Sequence, residues 1–335
     1  MIKPKSLQKG DCIGIVSTSS PVASSCPRRL KRGIRELELM GFKVKVGESV
    51  RKKVGHLAGS VKDRLDDIHS MVSDPEIKAI MNTIGGFNSN QLIGDLDYEL
   101  IKANPKIFIG YSDFTSVLLS IHKKANLVTF MGPALLPQLG EYGGVFPYTR
   151  LQFEKVLMKK ETNVVQPSQS WSSEFLAWDK EDIRRRELMP NPGPTVLREG
   201  FMEGQILSGN MGTMLSLAGT PFFPDVEGKV LFLEDDDDES PGSIDRYLHH
   251  FRHLGIFEKI QGLAIGRFHP KVNLSDSEKL SSIIFQATNG YDFPIIVDVD
   301  FGHTDPMMTI PNGAEVKIQA FQADPKIIFK EASVI

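Results

Sequence analysis

A serine hydroxyl is a weak nucleophile at neutral pH. It performs acyl chemistry only when a base takes its proton and hydrogen-bond donors receive the developing oxyanion. Two glycine-containing turns offer that combination: Thr83-Ile84-Gly85-Gly86-Phe87-Asn88-Ser89-Asn90 and Ile109-Gly110-Tyr111-Ser112-Asp113-Phe114-Thr115. The second lies between an apolar run, Ile107-Phe108-Ile109-Gly110, and a stretch of helical spacing, Ser116 to Ile121. Ser112 is thereby expected on a strand-to-helix corner, where the first N–H groups of the helix point at developing negative charge. Gly86 and Ser112 read as an oxyanion turn and a nucleophile turn.

Ser112 then needs a base, and the base an orienting acid. Of eight histidines, His249, His250 and His253 fall in a predicted helix, His56, His69 and His122 show no catalytic pattern, and His269 precedes a proline. His303 differs, because it follows the buried run Ile295 to Val299 in a loop at a strand end, where a general base is presented. A histidine that only bonds its own loop is the commoner case, and that alternative stays open here. Glu234 ends the run Val230-Leu231-Phe232-Leu233 and is the first charged residue after it, a place from which a carboxylate can accept an imidazole N–H. The run behind it, Asp235 to Glu239, reads as a solvated loop, because the regular spacing of a calcium loop is absent. No metal site and no cofactor are expected. Ser-Glu-His order also fits α/β-hydrolases, but their Gly-X-Ser-X-Gly elbow requires glycine at position 114, which is Phe.

The elements that must position these residues alternate. Cys12 to Val16 is a strand ended by Ser17 to Pro21; residues 27 to 40 carry helical spacing; Phe42 to Val46 alternates as a strand; Val61, Leu65, Ile68 and Val72 share a helix face; Lys78 to Thr83 is the next strand. This rhythm predicts an α/β fold, with a parallel sheet covered by helices in a flavodoxin- or amidotransferase-like N-terminal domain. Residues 229–233, 262–266 and 294–298 supply strands of a second α/β domain, with a helix over Ile244 to Leu254. Between them, residues 161–200 are polar and proline-rich and hold both tryptophans, Trp171 and Trp178. They read as a connection with a long functional loop. The expected division is 1–160, 161–200 and 201–335, with the active site in the cleft between the two domains.

At 335 residues the chain has length for two cores. Its net charge of −3, without a basic stripe, argues against nucleic acid as a partner. No apolar run approaches the roughly 20 residues needed to span a bilayer, and the N-terminus lacks a signal-peptide core, so no membrane partner and a cytoplasmic location are expected. Two cysteines, Cys12 and Cys26, give neither a structural disulfide nor a closed zinc site.

Read together with Gly14 to Pro21, Gly132-Pro133-Ala134, Gly209-Asn210-Met211, Leu233-Glu234-Asp235 and Gly302 to Pro306, these motifs fall in an order that resembles the LD-carboxypeptidases. Within that family of serine peptidases the chain is most similar to the microcin C self-immunity branch. The resemblance implies Ser112 as nucleophile, His303 as base and later acid, Glu234 as its orienting partner, and the N–H groups of Gly86 and Asp113 as the oxyanion hole. It also implies a homodimer, and a substrate that is a small peptide or a peptidyl- or aminoacyl-nucleotide. In the immunity branch a tryptophan-bearing loop stacks on the base, and the Trp171 to Trp178 segment resembles it. Trp178 could then offer about 1–3 kcal/mol of stacking, with Trp171, Asn210 and Asn88 as further substrate contacts. The acidic run stands where a basic residue is expected in members that handle a phosphoramidate. Asn210 would have to compensate, or the substrate is an aminoacyl sulfamoyl adenylate or a plain peptide. The recycling branch, which removes D-alanine from murein tetrapeptides, is the alternative. A two-domain binding protein without catalysis is the second. A nucleotide-binding oxidoreductase is disfavoured, because no Gly-X-Gly-X-X-Gly follows the first strand.

Overall fold

In the computed structural model, which describes residues 1–272 and 279–335, the N-terminal apolar runs become β1 (Cys12–Val16), β2 (Lys43–Val46), β3 (Ile77–Asn82), β4 (Ile107–Gly110) and β5 (Thr129–Met131). They are parallel, in the order β5-β4-β3-β1-β2. Every residue of β4 is buried and β3 is buried at all but one position, as expected of parallel strands covered on both faces. The chain runs from β1 outward to β2 and returns past it to β3. That reversal opens a crevice at the carboxyl ends of the strands, the place where such sheets bind ligands. The helix Val61–Ser73 begins at a reciprocal capping box between Ser60 and Asp63.

Residues 161–200, expected as a connection, contribute four short strands: β6 (Asn163–Val165), β7 (Ser170–Trp171), β8 (Met189–Pro190) and β9 (Thr195–Arg198). Paired β7 and β8 close the base of a loop over residues 172–188. β6 and β9 are the two edges of a second sheet, whose remaining strands are β10 (Gly200–Asn210), β11 (Lys229–Glu234), β12 (Gly262–Gly266), β13 (Ile295–Val299), β14 (Ile310–Asn312) excepted, then β15 (Glu315–Ala320) and β16 (Lys326–Phe329). The order is β6-β16-β15-β10-β11-β12-β13-β9, with β10 to β13 parallel at the centre. β14 instead pairs antiparallel with β5 and completes the first sheet.

β10 escapes a hydropathy reading because Gly204, Gln205, Ser208 and Gly209 interrupt its apolar residues. The polar exceptions are satisfied: the N–H and hydroxyl of Ser208 both donate to Asn312 Oδ1, at 2.6 and 2.9 Å. The helix expected from Ile244 starts earlier, at Pro241, because Ser240 caps it by accepting the Ser243 N–H.

Two buried apolar clusters hold the fold together, and each draws on both sheets. One contains Ile13 and Phe130 with Phe232 and Ile318; the other contains Ile80 and Val117 with Leu231 and Leu248. Each such side chain contributes roughly 1.5–3 kcal/mol on burial. The two sheets therefore share their interior. No helix among the described residues is long and apolar enough to cross a membrane.

Candidate active site

The carboxyl ends of the central strands of both sheets open on one cleft. β4 ends at Gly110, and Ser112 follows in a short 3-10 turn that leads into the helix Thr115–Ala125. Ser112 has φ of +61°, the left-handed region that a side chain with a Cβ enters only under constraint. From the second sheet, β11 ends at Glu234, and the loop after β13 carries His303. Nδ1 of His303 lies 2.6 Å from Oε2 of Glu234, whose side chain is 1 % exposed. Gly302, at φ +101°, makes this approach possible: a Cβ there would stand 2.8 Å from Glu234 Oε2.

A cavity of about 420 Å³ joins the two halves. Ser112, Gly85 and Gly86 line it together with His303, Arg186 and Trp178. Gly85 faces Ser112 directly, since a Cβ on it would lie 2.6 Å from Ser112 Oγ and 3.3 Å from the Asp113 nitrogen. The next turn residues are tied back: Ser19 Oγ accepts the N–H groups of Phe87 and Asn88 at 3.0 and 2.9 Å. The Asp113 carboxylate accepts those of Asn88 and Ser89 at 3.1 and 2.8 Å. Both glycine turns are thus fixed to each other by buried polar groups.

Burial disfavours a charged imidazole at His303, but the Glu234 carboxylate, with Asp236 and Asp235 behind it, outweighs burial and lifts the pKa to about 9. Because the folded value lies above the ordinary 6.5, the stabilisation from this pair is complete below about pH 6.5. It is lost as pH rises through about 9. Glu234→Gln is expected to bring the midpoint down toward 6.5, read from the His303 ring protons in an NMR titration. An unmoved midpoint would contradict the pairing. Burial and the neighbouring Glu234 charge push Asp235 up to about 7.

The acidic run departs from a solvated loop. Asp235 is buried, its oxygens accepting Asn210 Nδ2 at 2.6 Å and the Gly212 N–H at 3.1 Å, while Asp236, Asp237 and Asp238 line the cavity. Among the described residues, the carboxylates of Asp235, Asp236 and Glu239 come within 4.8 Å of one another and are the group that could hold a cation. All three are already engaged, Asp235 as above, Asp236 by the Asp238 N–H at 3.0 Å and Glu239 by the Tyr247 hydroxyl at 3.1 Å.

The structure brings together Ser112, His303 with Glu234 behind it, Gly86, Asp113 and, on the wall of the same cavity, Trp178. Three other predicted contacts lie outside the lining. Trp171 sits in β7 beneath the Arg267 guanidinium, 4.8 Å from its ring centre, and Arg267 is held by Asp300. Asn210 caps the helix Met211–Ser216 and binds Asp235. Asn88 is spent on the turn itself, its carbonyl facing Arg64.

Sequence reasoning passed over Phe87, 81 % exposed beside Gly86, and His269, whose Nε2 lies 2.5 Å from the Ser173 carbonyl oxygen. It also passed over Arg186, which donates to Glu141 Oε2 at 2.8 Å and Asp305 Oδ2 at 2.7 Å. The basic triplet Arg184-Arg185-Arg186 in a polar loop was the available signal for that last residue. Ser172 and Asp305 exchange backbone hydrogen bonds of 2.6 and 3.1 Å, which strap the loop to the segment that carries His303.

Residues 13–132 match the LD-carboxypeptidase N-terminal domain and residues 203–318 the LD-carboxypeptidase C-terminal domain. The chain is 33 % identical over 316 residues to the microcin C7 self-immunity protein MccF of Escherichia coli, covering 93 % of this chain and 91 % of that one. It is 33 % identical over 317 residues to a probable murein peptide carboxypeptidase of Bacillus subtilis (strain 168), covering 93 % and 90 %. Among solved structures it is similar to MccF in complex with glutamyl sulfamoyl guanosine, with a TM-score of 0.93, 30 % identity and 100 % of both chains covered.

Proposed function

The chain belongs to the LD-carboxypeptidase family and is a serine-type carboxypeptidase hydrolase; from that premise we propose that it cleaves the amide between a carboxy-terminal amino acid and a nucleotide-like group. Ser112 Oγ attacks the scissile carbonyl as the neutral form of His303, whose share grows as pH rises toward about 9, takes its proton. The N–H groups of Gly86 and Asp113 receive the oxyanion, and the C–N bond breaks as His303 returns the proton to the leaving nitrogen. Water then hydrolyses the acyl-enzyme by the same proton path. Glu234 holds the ring through its 2.6 Å contact with Nδ1.

The observation that carries the choice of leaving group is Trp178, an indole on the wall of the same cavity as Ser112 and His303. An indole there offers a planar face to a base, worth about 1–3 kcal/mol. The relative of known structure binds glutamyl sulfamoyl guanosine, a ligand of that class. A second reading, release of D-alanine from a murein tetrapeptide, is favoured by Asp236, Asp237 and Asp238 on the cavity wall. Carboxylates there oppose a phosphate and suit an amine-bearing peptide. This reading retains the division at 1–160, 161–200 and 201–335, a cytoplasmic location and a homodimer.

The test offers purified protein an aminoacyl sulfamoyl adenosine and a murein tetrapeptide side by side, with products identified by mass. Cleavage of the tetrapeptide alone would reverse the order of the two readings. Trp178→Ala is expected to raise KM for the nucleoside substrate by roughly 5- to 150-fold and to leave that for the tetrapeptide near its original value.

A further inference from the structure

Trp178 lies in a loop segment with little regular structure of its own; a single turn, in which Lys180 and Glu181 donate to the Ala177 carbonyl, is its local backbone support. Its ring meets Phe175 of the same loop, 6.3 Å away between ring centres, and a side chain from the first sheet's covering helix, Pro27–Leu39. The Arg29 guanidinium carbon stands 4.3 Å from the centre of the indole, and the Arg29 side chain is 2 % exposed. Its edge is anchored on two nitrogens: Nε donates to the Leu136 carbonyl at 2.7 Å and Nη2 to that of Pro137 at 2.9 Å. Nη2 also reaches Glu141 at 3.3 Å, and Nη1 pairs with Asp182 at 2.9 Å. The three hydrogen bonds to Leu136, Pro137 and Glu141 lie at the rim of a planar cation, which leaves a flat face toward the indole.

Asp182 belongs to the same loop as Trp178, is 3 % exposed and also contacts Arg32. One buried cation therefore takes both an aromatic face and a carboxylate from the loop. The pairing fixes the height and the tilt of the indole relative to the helix, and covers the face of the ring that Arg29 meets, so a ligand stacks on what remains exposed to the cavity.

We propose that Arg29 is a positioning residue for substrate recognition: its rim-anchored guanidinium sets the plane of Trp178 as a platform for a planar leaving group. This rests on the nucleotide reading above for the identity of the ligand, but not for the placement of the ring.

The test uses Arg29→Lys, which keeps a positive charge beside Glu141 and Asp182 and removes the planar fork. In a Trp171→Phe background Trp178 is the sole indole. Without ligand, Arg29→Lys is expected to at least double the acrylamide quenching constant of Trp178 and to lower its fluorescence anisotropy, while the melting transition stays cooperative. With adenosine as probe, calorimetry is expected to show Kd weakened about tenfold. KM for an aminoacyl sulfamoyl adenosine should rise in parallel, and kcat should change less than threefold. In a Trp178→Ala background the same substitution should alter the adenosine Kd less than twofold. An unchanged quenching constant overturns the proposal, as does equal weakening of adenosine binding with and without Trp178. If the parent protein does not bind adenosine but Arg29→Lys frees the indole, the positioning role stands and the nucleotide reading falls. Should Arg29→Lys fail to fold, Asp182→Asn cuts the same anchor from the loop side and is read by the same quenching measurement, where no change overturns the proposal.

Discussion

Replacing Ser112 with alanine should lower kcat by roughly 10⁴- to 10⁶-fold, the range seen when a nucleophile acting as one of a unit is removed. Substrate binding should persist, because the cavity wall loses one oxygen and keeps its shape. The expectation draws on the backbone as well as the hydroxyl. At φ of +61° Ser112 occupies a conformation that costs a residue with a Cβ roughly 1–2 kcal/mol. A fold retains such a cost where the geometry is needed, here to turn Oγ out of the corner between β4 and the following helix. Alanine keeps the Cβ and hence the strain, so its melting temperature should match the parent. Glycine removes both, and Ser112→Gly should be as inactive yet no less stable. Turnover at the parental rate in Ser112→Ala would remove Ser112 from the reaction altogether.

Gly85→Ala is the second large effect, expected at about 10²- to 10³-fold in kcat, the scale of losing an oxyanion donor. The new methyl would stand 2.6 Å from Ser112 Oγ and 2.8 Å from its Cβ, and 3.3 Å from the Asp113 nitrogen. Such distances cannot be kept, so either Oγ rotates away from the substrate carbonyl or the turn retreats and takes the Gly86 N–H with it. Gly85 has no left-handed φ, so alanine is acceptable to the backbone and the loss should appear in kcat with the fold intact. In a Ser112→Ala background the same substitution should cost little, since both act on one step. A Gly85→Ala enzyme with parental kcat would mean that the oxyanion lies elsewhere.

The residues that carry chemistry were legible where a buried strand ends in a polar residue. Ile107 to Gly110 and Val230 to Leu233 are continuous apolar runs, so a polar side chain that follows each emerges at the sheet edge, as Ser112 and Glu234 do. His303 lies further out: Asp300 is the first residue after the strand Ile295–Val299 and is held by Arg267, and His303 stands three residues later in the loop. β10 was not legible, because its interior polar groups are satisfied by Asn312 from a distant part of the chain, and no local pattern announces such a partner. The same applies to β6 and β9, three- and four-residue edges of the second sheet inside a stretch whose composition reads as loop. The family resemblance singled out Trp178 for stacking and kept Trp171 as a further contact; composition alone offers no distinction between two indoles in one polar segment. An arginine approaches each, but Arg267 fixes the first in the ribbon and Arg29 the second at the cavity. The acidic run misled for a related reason: the group that buries Asp235 is Asn210, at the end of another strand.

The loop over residues 172–188 leaves the body of the protein at β7 and returns at β8, two strands paired with each other. Its ends are consequently side by side, and its length can change without altering the distance that either flanking sheet must span. Such a segment behaves as an exchangeable cassette. Insertions, deletions and new aromatic or charged residues between its closed ends are free to alter which leaving group is accepted, whereas Ser112, Glu234 and His303 sit on strands and loops outside it. Relatives could thus diverge in what they cut through one short stretch of sequence, with the chemistry inherited unchanged.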